Sequence, residues 1–415
     1  MIKTYEKYKE SGIEWIGKVP ENWKPSKLKY YANVITGNTP STSVEEYFSD
    51  DNGVPWVKPS DLAEFNTITT SKQRLTEKGL LQSRLVRKGS VLVGGIGDIG
   101  KLGVAGCDLT TNQQIHSIEG NINKIDDDYL KYLLYSSIDE LQKNSSSVVL
   151  SILTKTKLLD LEIVIPSDSE QTQIANFLDH QTAIIDDLIG QKEKLIALLK
   201  EKRQAVINEA VTKGLNPNAN MKDSGIEWLG EVPEEWEVVT FKRIVKIRNG
   251  KDQKPVQIEE GGYPVLGTGG EFGRASEYLY DKPSVLLGRK GTIDKPQFIE
   301  VPFWTVDTLF YTEINNDCDP LYVYYLSQQI PFNLLQESSA VPSMTQDNLN
   351  NVILCKPPLK EQQEISQLLK NQLIEFDGLI EKSNLQIGNL KFYRQSLISE
   401  AVTGKIDVRD WKPVN

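Results

Sequence analysis

Apolar residues recur at alternating steps of four and three along two long stretches of the chain. From Ile174 the steps reach Leu178, Gln181, Ile185, Leu188, Lys192, Leu195, Leu199, Lys202 and Val206, and seven of these ten positions are apolar. The same steps from Ile365 reach Leu369, Gln372, Phe376, Leu379, Ser383, Gln386, Leu390, Tyr393 and Leu397, again with seven of ten apolar. A seam of this period predicts a long helix with a coiled-coil-like stripe. Pro166 and the pair Pro357–Pro358 suit helix entry, while Gly214 and Gly404 suit helix stops. Each helix then holds about 40 residues and runs roughly 60 Å. A helix of that length with one apolar stripe needs a partner. It could lie on its own domain, but the matched lengths and seams favour pairing of the two helices with each other.

Between these stretches the pattern shortens. SVLVGGIG (Ser90–Gly97) and SVLLGRKG (Ser284–Gly291) read as apolar strands ending in glycine turns. DYLKYLLYS (Asp128–Ser136) and PLYVYYLSQQ (Pro320–Gln329) read as short helices in corresponding places. LEIVIP (Leu161–Pro166) and VILCKPP (Val352–Pro358) read as the last strand before each long helix.

These pairings belong to a wider internal repeat. SGIEWIGKVPENW, from Ser11 to Trp23, returns as SGIEWLGEVPEEW, from Ser224 to Trp236, at an offset of 213. EQTQIANFLDHQTAIIDDLI, from Glu170, is matched by EQQEISQLLKNQLIEFDGLI, from Glu361, at an offset of 191, and both run on to RQAVINEAVTKG and RQSLISEAVTGK. The segment between the markers is therefore about 22 residues longer in the first copy (213 minus 191). A period near 200 residues indicates domain duplication, because solenoid repeats are far shorter. Matched boundaries around unlike interiors describe one scaffold carrying two readouts. The final AVTGKIDVRDW and the initial YKESGIEW together mimic the central AVTKGLNPNANMKDSGIEW, which predicts neighbouring termini and a pseudo-twofold molecule.

Composition narrows the function less. A chain of 415 residues exceeds one compact core and implies two or more domains. The charged start MIKTYEKYKESG has no apolar secretory core, and no apolar run approaches the roughly 18–20 residues that span a bilayer. Three scattered cysteines, Cys107, Cys318 and Cys355, fit a reducing cytoplasm without a disulfide framework. A net charge of −10 does not by itself advertise nucleic-acid binding.

Catalytic and cofactor patterns fail one after another. Gly95–Gly100 reads GIGDIG, but Leu102 stands where a P-loop needs Ser or Thr, and LGVAG follows where a dinucleotide fingerprint must open a helix. A glycine-rich turn is the better reading. His116 and His180 are the only histidines, without close cysteine pairs, so a metal centre or a histidine-based triad is not expected and both read as structural. Asp126, Asp127 and Asp128 suit a helix start. No nuclease carboxylate–lysine set and no Asn-Pro-Pro-aromatic motif occurs. The chain is therefore expected to be non-catalytic, with no metal and no cofactor of its own.

Charge distribution says more than charge total. Lys72, Arg74, Lys78, Arg84, Arg87, Lys88 and Lys101 are opposed only by Glu77 and Asp98. Lys242, Arg243, Lys246, Arg248, Lys251 and Lys254 are opposed by Asp252, and Arg274, Arg289, Lys290 and Lys295 extend the second set. Such clusters neutralise phosphates, and arginine also reads guanine edges, although a solvated face fits the charge equally well. The candidate DNA contacts are Lys72, Arg74, Arg84, Arg87, Lys101, Lys242, Arg248, Lys251, Arg274, Arg289, Lys290 and Lys295. The candidate helix-seam or partner contacts are Ile174, Leu178, Ile185, Leu188, Leu195, Leu199, Ile365, Leu369, Phe376, Leu379, Leu390 and Leu397.

Over nearly its whole length the chain resembles the specificity subunits of type I restriction–modification systems. The resemblance is carried by the two SGIEW-[IL]-G-x-VP-x-x-W boxes, the two EQ-x-x-I helices ending in AVT, and YLYDKPSVLLGRKGTIDKP…FWTVDTLFY (Tyr278–Tyr311). It implies an α+β protein in which two mixed α/β target-recognition domains are joined by two long helices forming an antiparallel coiled coil. Each domain would read half of a split, asymmetric double-stranded DNA site, with the helices as a ruler. Two methyltransferase subunits, carrying S-adenosylmethionine and the catalysis, would dock on this scaffold, and restriction–translocase subunits would join them. The expected boundaries are 1–167 for the first recognition domain with its box, 168–214 for the central helix, 215–358 for the second domain, 359–404 for the C-terminal helix and 405–415 for the tail. Two other readings are a specificity subunit serving methylation alone, and a coiled-coil interaction scaffold that never touches DNA. Co-purification with a methyltransferase and a duplex-binding assay separates the last from the others.

Overall fold

Trp23 and Trp236, which close the two repeated boxes, are both fully buried. In the computed structural model, which describes residues 3–63, 65–97, 99–143, 152–335 and 342–413, each indole donates to the glutamate that opens a long helix: Trp23 Nε1 to Glu170 Oε1 at 3.3 Å and Trp236 Nε1 to Glu361 Oε2 at 3.0 Å. The next residue completes the joint. Gln171 accepts from the Asp126 backbone N–H at 2.8 Å and donates to the Pro166 carbonyl, and Gln362 does the same with Asp319 and Pro357. Asp126 and Asp319 in turn cap the short helices Asp127–Ser136 and Pro320–Ser327. The repeated Glu-Gln pair is thus a structural device. It satisfies buried donors at a place where box, long helix and short helix meet.

The chain divides into two compact units. One contains residues 1–192 with 385–415, and the other contains residues 193–384. Each division falls inside a long helix, because the central helix Asp168–Lys213 and the C-terminal helix Leu359–Val402 each begin in one unit and end in the other. Ile174 and Leu178 of the central helix lie in the core of the first unit together with Ile398, Ala401 and Val402 of the C-terminal helix. Ile207 and Val211 lie in the core of the second unit with Ile365 and Leu369. Tyr129 and Tyr322, at equivalent places on the short helices, make the same paired contact: Tyr129 Oη donates toward the Val164 and Val402 carbonyls, and Tyr322 Oη toward Cys355 and Val211. Each core therefore uses the start of one long helix and the end of the other, and within each unit the two helix halves run antiparallel.

The helix seam differs by one column from the strict heptad expectation. Leu178, Ile185 and Leu199 keep their column, as do Leu369, Phe376, Leu390 and Leu397 in the second helix. The second column falls four residues on instead of three, so Thr182, Ile189 and Ile196 are buried while Leu188 and Leu195 are exposed. In the C-terminal helix Leu373 and Ala401 are buried, whereas Leu379 is 51% exposed. Apolar side chains occupy both columns of the sequence, so spacing alone did not choose between them. Ion pairs mark the chosen side: Arg394 meets Asp186 at 2.9 Å in the first unit, and Arg203 meets Asp377 at 3.0 Å in the second.

Among the described residues each unit also carries two main sheets of equal strand number, five strands each in the first unit and four each in the second, one of them larger in residues. In the first unit the larger sheet's order is Ala32–Thr36, Ile115–Gly120, Val91–Gly94, Leu102–Ala105 and Asn66–Ile68. In the second it is Val245–Asn249, Leu309–Ile314, Ser284–Gly288 and Gln297–Ile299. A smaller sheet accompanies each, with one parallel pairing in both: Thr110 opposite Trp56, and Leu266 opposite Thr305. The last strands, Glu162–Ile165 and Ile353–Lys356, pair outside these sheets with the strands that follow the boxes, Lys24–Lys27 and Glu237–Thr240. The central helix stops at Gly214 and the C-terminal helix at Gly404, both with left-handed backbone, and they lie against Trp236 and against Pro20 and Trp23. The tail then bridges to the chain start, where the Asp407 N–H donates to the Lys3 carbonyl at 2.8 Å. Neighbouring termini, expected from the head-to-tail repeat, are present within the first unit.

Replacing Trp236 with alanine removes a fully buried ring and should destabilise the second unit by about 3–5 kcal/mol. Glu361→Gln, which keeps an acceptor for the indole, should cost about 1 kcal/mol. Denaturant unfolding of the two variants, followed by tryptophan fluorescence, measures both.

Candidate nucleic-acid interface

One end of each large sheet gathers loops from four segments. In the second unit Asn249 and Gly288 flank the start of the strand Leu309–Ile314, so the turns after them emerge side by side. The backbone locks them together: Arg289 N–H donates to the Thr308 carbonyl, Lys251 N–H to Thr305, Gly291 N–H to Pro342 and Met344 N–H to Arg289. Gln346 Nε2 adds a 2.9 Å bond to Asn249 Oδ1. Gly250 is forced by close approach, since a Cβ there would collide with the Val306 carbonyl. The first unit repeats the plan with Thr36–Gly37–Asn38, Gly94–Gly97, Asn112–Gln114 and Ile152–Leu153. Gly37 equally lacks room for a Cβ, and Ile96 bridges to Ile152 as Lys290 bridges to Ser343.

These equivalent ends carry different chemistry. Lys251, Arg289 and Lys290 converge in the second unit, where the Arg289 guanidinium donates to the Asp307 carbonyl at 3.2 Å and lies 6.0 Å from the Phe310 ring centre. Lys295 is exposed in the loop that follows, whose Thr292 and Ile293 backbone packs on Gly288. Where Arg289 and Lys290 stand, the first unit has Gly95 and Ile96. Its end is instead built from amides and hydroxyls: Asn38 Nδ2 donates to the Gln82 carbonyl at 2.5 Å, and Thr39 Oγ1 donates to Gln113 Oε1. Arg84 joins them by donating to the Thr36 carbonyl at 2.6 Å. Lys101 is half-buried on the strand side of the adjacent glycine turn, its carbonyl accepting from Gly94.

Other candidates lie elsewhere or are engaged. Arg87 grips Asp127 with both nitrogens, at 2.5 and 2.9 Å, and reaches the Gly120 carbonyl at the opposite end of the sheet. The Asp127 carboxylate holds this guanidinium above its usual pKa. Arg248 makes a two-pronged pair with Glu313, at 2.8 and 3.2 Å, and Arg274 meets Glu271 at 3.0 Å. Arg74 donates to the Gly53 carbonyl and Thr70 Oγ1 within the smaller sheet, and Lys72 is exposed in the loop before it. Lys242, exposed in the turn before Val245–Asn249, stands a strand length of about 17 Å from Lys251. A linear basic cluster is thus split by the strand that runs through it. Asn38, Thr39, Gln113 and Thr268, which charge counting could not nominate, are placed beside the loop ends; Asn38, Thr39 and Thr268 lie within two residues of a glycine in the sequence, and Gln113 carries no such signal.

The residues tested for chemistry have structural surroundings. GIGDIG forms the hairpin turn between Val91–Gly94 and Leu102–Ala105, with Gly97 and Gly100 in left-handed conformation and Asp98 outside the described residues. His116 is buried between Thr36 Oγ1 at 3.0 Å and the Leu153 carbonyl at 2.8 Å, and burial lowers its pKa. His180 lies against Trp411. Among the described residues no His, Cys, Asp or Glu group could hold a metal, and no helix is long and apolar enough to cross a membrane.

Comparison with known proteins points one way. The type I restriction modification DNA specificity domain family matches residues 20–198 and 233–389. The chain is 26% identical to the MjaIX type I restriction enzyme specificity subunit of Methanocaldococcus jannaschii, over 95% of this chain and 96% of that one. It is 22% identical to the EcoDI specificity subunit of Escherichia coli, over 96% and 92%. A solved structure described as the basis of complex assembly and conformational transition of the type I R-M system superposes with a TM-score of 0.73 at 14% identity, covering 94% of this chain and 99% of that one. The HsdS subunit of Thermoanaerobacter tengcongensis superposes at 0.50 with 15% identity, covering 94% and 98%. At those identities the structural likeness is one of fold.

His116 supplies a pH test of the first unit's loop end. Its folded pKa lies below the unfolded value of about 6.5, so the unfolded chain binds the proton more tightly. Its contribution to stability is complete above that value and is lost progressively as pH falls below it and through the lower folded pKa. His116→Gln should flatten the decline in the denaturation midpoint between pH 7.5 and 5.5, leaving only the part shared with the carboxylates.

Proposed function

The chain belongs to the type I restriction–modification DNA specificity family, and on that footing we propose that it is the non-catalytic sequence reader of a complex that methylates and cleaves DNA. The loop end holding Asn38, Arg84 and Gln113 reads one half of a split, asymmetric double-stranded site. The equivalent end holding Lys251, Arg289 and Lys290 reads the other half. The observation that carries this reading is the pairing of one loop framework with two unlike sets of side chains. Arginine and lysine fit the O6 and N7 acceptors of guanine, whereas asparagine and glutamine fit adenine. A reader of an asymmetric site needs such a difference on a common frame.

The two long helices act as the ruler that sets the gap between the two half-sites. Two methyltransferase subunits bring S-adenosylmethionine and the transfer chemistry, and restriction–translocase subunits bring cleavage. With a net charge of −10, this chain relies on those subunits for part of the phosphate contact. Its place of action is the cytoplasm, where the DNA is.

The test uses the chain co-purified with its cognate methyltransferase subunits. The double variant Arg289→Ala/Lys290→Ala should lower methylation of the cognate site by about tenfold or more, as loss of a base-reading arginine and a neighbouring phosphate-binding lysine does, while thermal unfolding stays unchanged. Unchanged methylation would remove these two residues from the readout. A complex with no preference for any duplex sequence would overturn the reading itself.

A further inference from the structure

In the second unit the strands Tyr263–Gly267 and Gly270–Ala275 form a tight hairpin whose register slips in mid-course. Val265 faces Gly273, but Leu266 faces Glu271, so Phe272 is an extra residue on its strand. A bulge of this kind bends the strand and re-aims the side chain it carries. Here it leaves a phenylalanine ring 57% exposed. The ring passes over Gly267, where an added Cβ would stand 3.2 Å from Phe272 Cε1, so that glycine gives it room. A ring serving only to hold the hairpin would be covered, and this one is not.

The ring stands at the loop end already described. A Cβ on Gly267 would also lie 3.8 Å from the Val306 side chain, and the Val306 carbonyl packs on Gly250, next to Lys251. The hairpin turn reaches the other basic loop, since Thr268 Oγ1 is 3.7 Å from a Cβ placed on Gly291, next to Lys290. Gln297 Nε2 ties the turn down by donating to the Gly267 carbonyl at 2.9 Å. Around Gly269 and Gly270 a Cβ would meet nothing, leaving open space for a close approach. An exposed aromatic ring flanked by two lysine-bearing loops matches what nucleic acid offers, flat apolar bases between rows of phosphates.

We propose that Phe272 is an apolar wedge that stacks on a base of the half-site read by the second unit, with Lys251 and Lys290 holding the flanking phosphates. This rests on the reading of that loop end as a DNA face. An apolar contact displaces no counterions and a lysine–phosphate contact does, so the two kinds of residue separate in salt dependence.

The experiment measures binding of the chain, assembled with its cognate methyltransferase subunits, to a duplex oligonucleotide carrying the mapped methylated sequence, across a salt series. Phe272→Ala should weaken binding about tenfold at every salt concentration with the logarithmic slope unchanged, and Phe272→Trp should restore it. Lys251→Ala/Lys290→Ala should instead reduce the slope by about two. Thermal unfolding of Phe272→Ala should match the wild type, since the ring is exposed. If the wild-type complex binds the duplex selectively and Phe272→Ala binds it equally well, the wedge is wrong and the reader stands. If the wild-type complex shows no selectivity for the duplex over a scrambled one, the reader fails and the wedge with it.

Discussion

A buried indole donating to a carboxylate at the first turn of a long helix is the joint on which both halves of the chain depend. Trp23 with Glu170, and Trp236 with Glu361, fix each repeated box to a helix start. Gln171 and Gln362 carry the same joint to the N-caps of the short helices. The incoming end of the other long helix then closes the core, through Val402 against Tyr129 and Val211 against Tyr322. The polar groups named here answer one another, and removing one partner leaves a buried donor or acceptor without its bond. Each half of the chain is thereby completed by a helix end from the other half, which gives a duplicated chain a reason to remain one molecule.

That frame leaves the opposite task to loops. The backbone contacts that hold Gly250 against Val306 and Gly37 against Thr111 do not depend on neighbouring side chains, so Lys251 and Asn38 can differ while their carbonyls are held alike. Trp304 Nε1 donates to the Lys251 carbonyl and Trp56 Nε1 to the Asn38 carbonyl, from unlike strands. Rigid positioning and variable chemistry are separated, as a reader built on a shared scaffold requires.

Much of this was legible in the sequence because repetition is a long-range signal. The boxes, the long helices with their glycine stops and the meeting of the termini all follow from comparing the chain with itself. The seam column did not, because Leu188 and Ile189, or Leu195 and Ile196, are equally apolar neighbours and only packing selects between them. The basic clusters were legible as composition but not as surface. Lys242 and Lys251 are near in sequence yet lie at opposite ends of one strand, and Arg87, adjacent to Lys88 in the first cluster, is spent on Asp127. Phe272 escaped notice because a bulge is a property of two strands in register, which neither strand shows alone.

The central claim is that one chain reads two unlike half-sites, and mapping methylated bases across a genome tests it most directly. The mapping should be done in a host without other methyltransferases, expressing this chain with its cognate methyltransferase subunits. The account predicts a split motif of two different half-sequences separated by a gap of constant length. A continuous motif, a palindrome with identical halves, or methylation without sequence preference would contradict it.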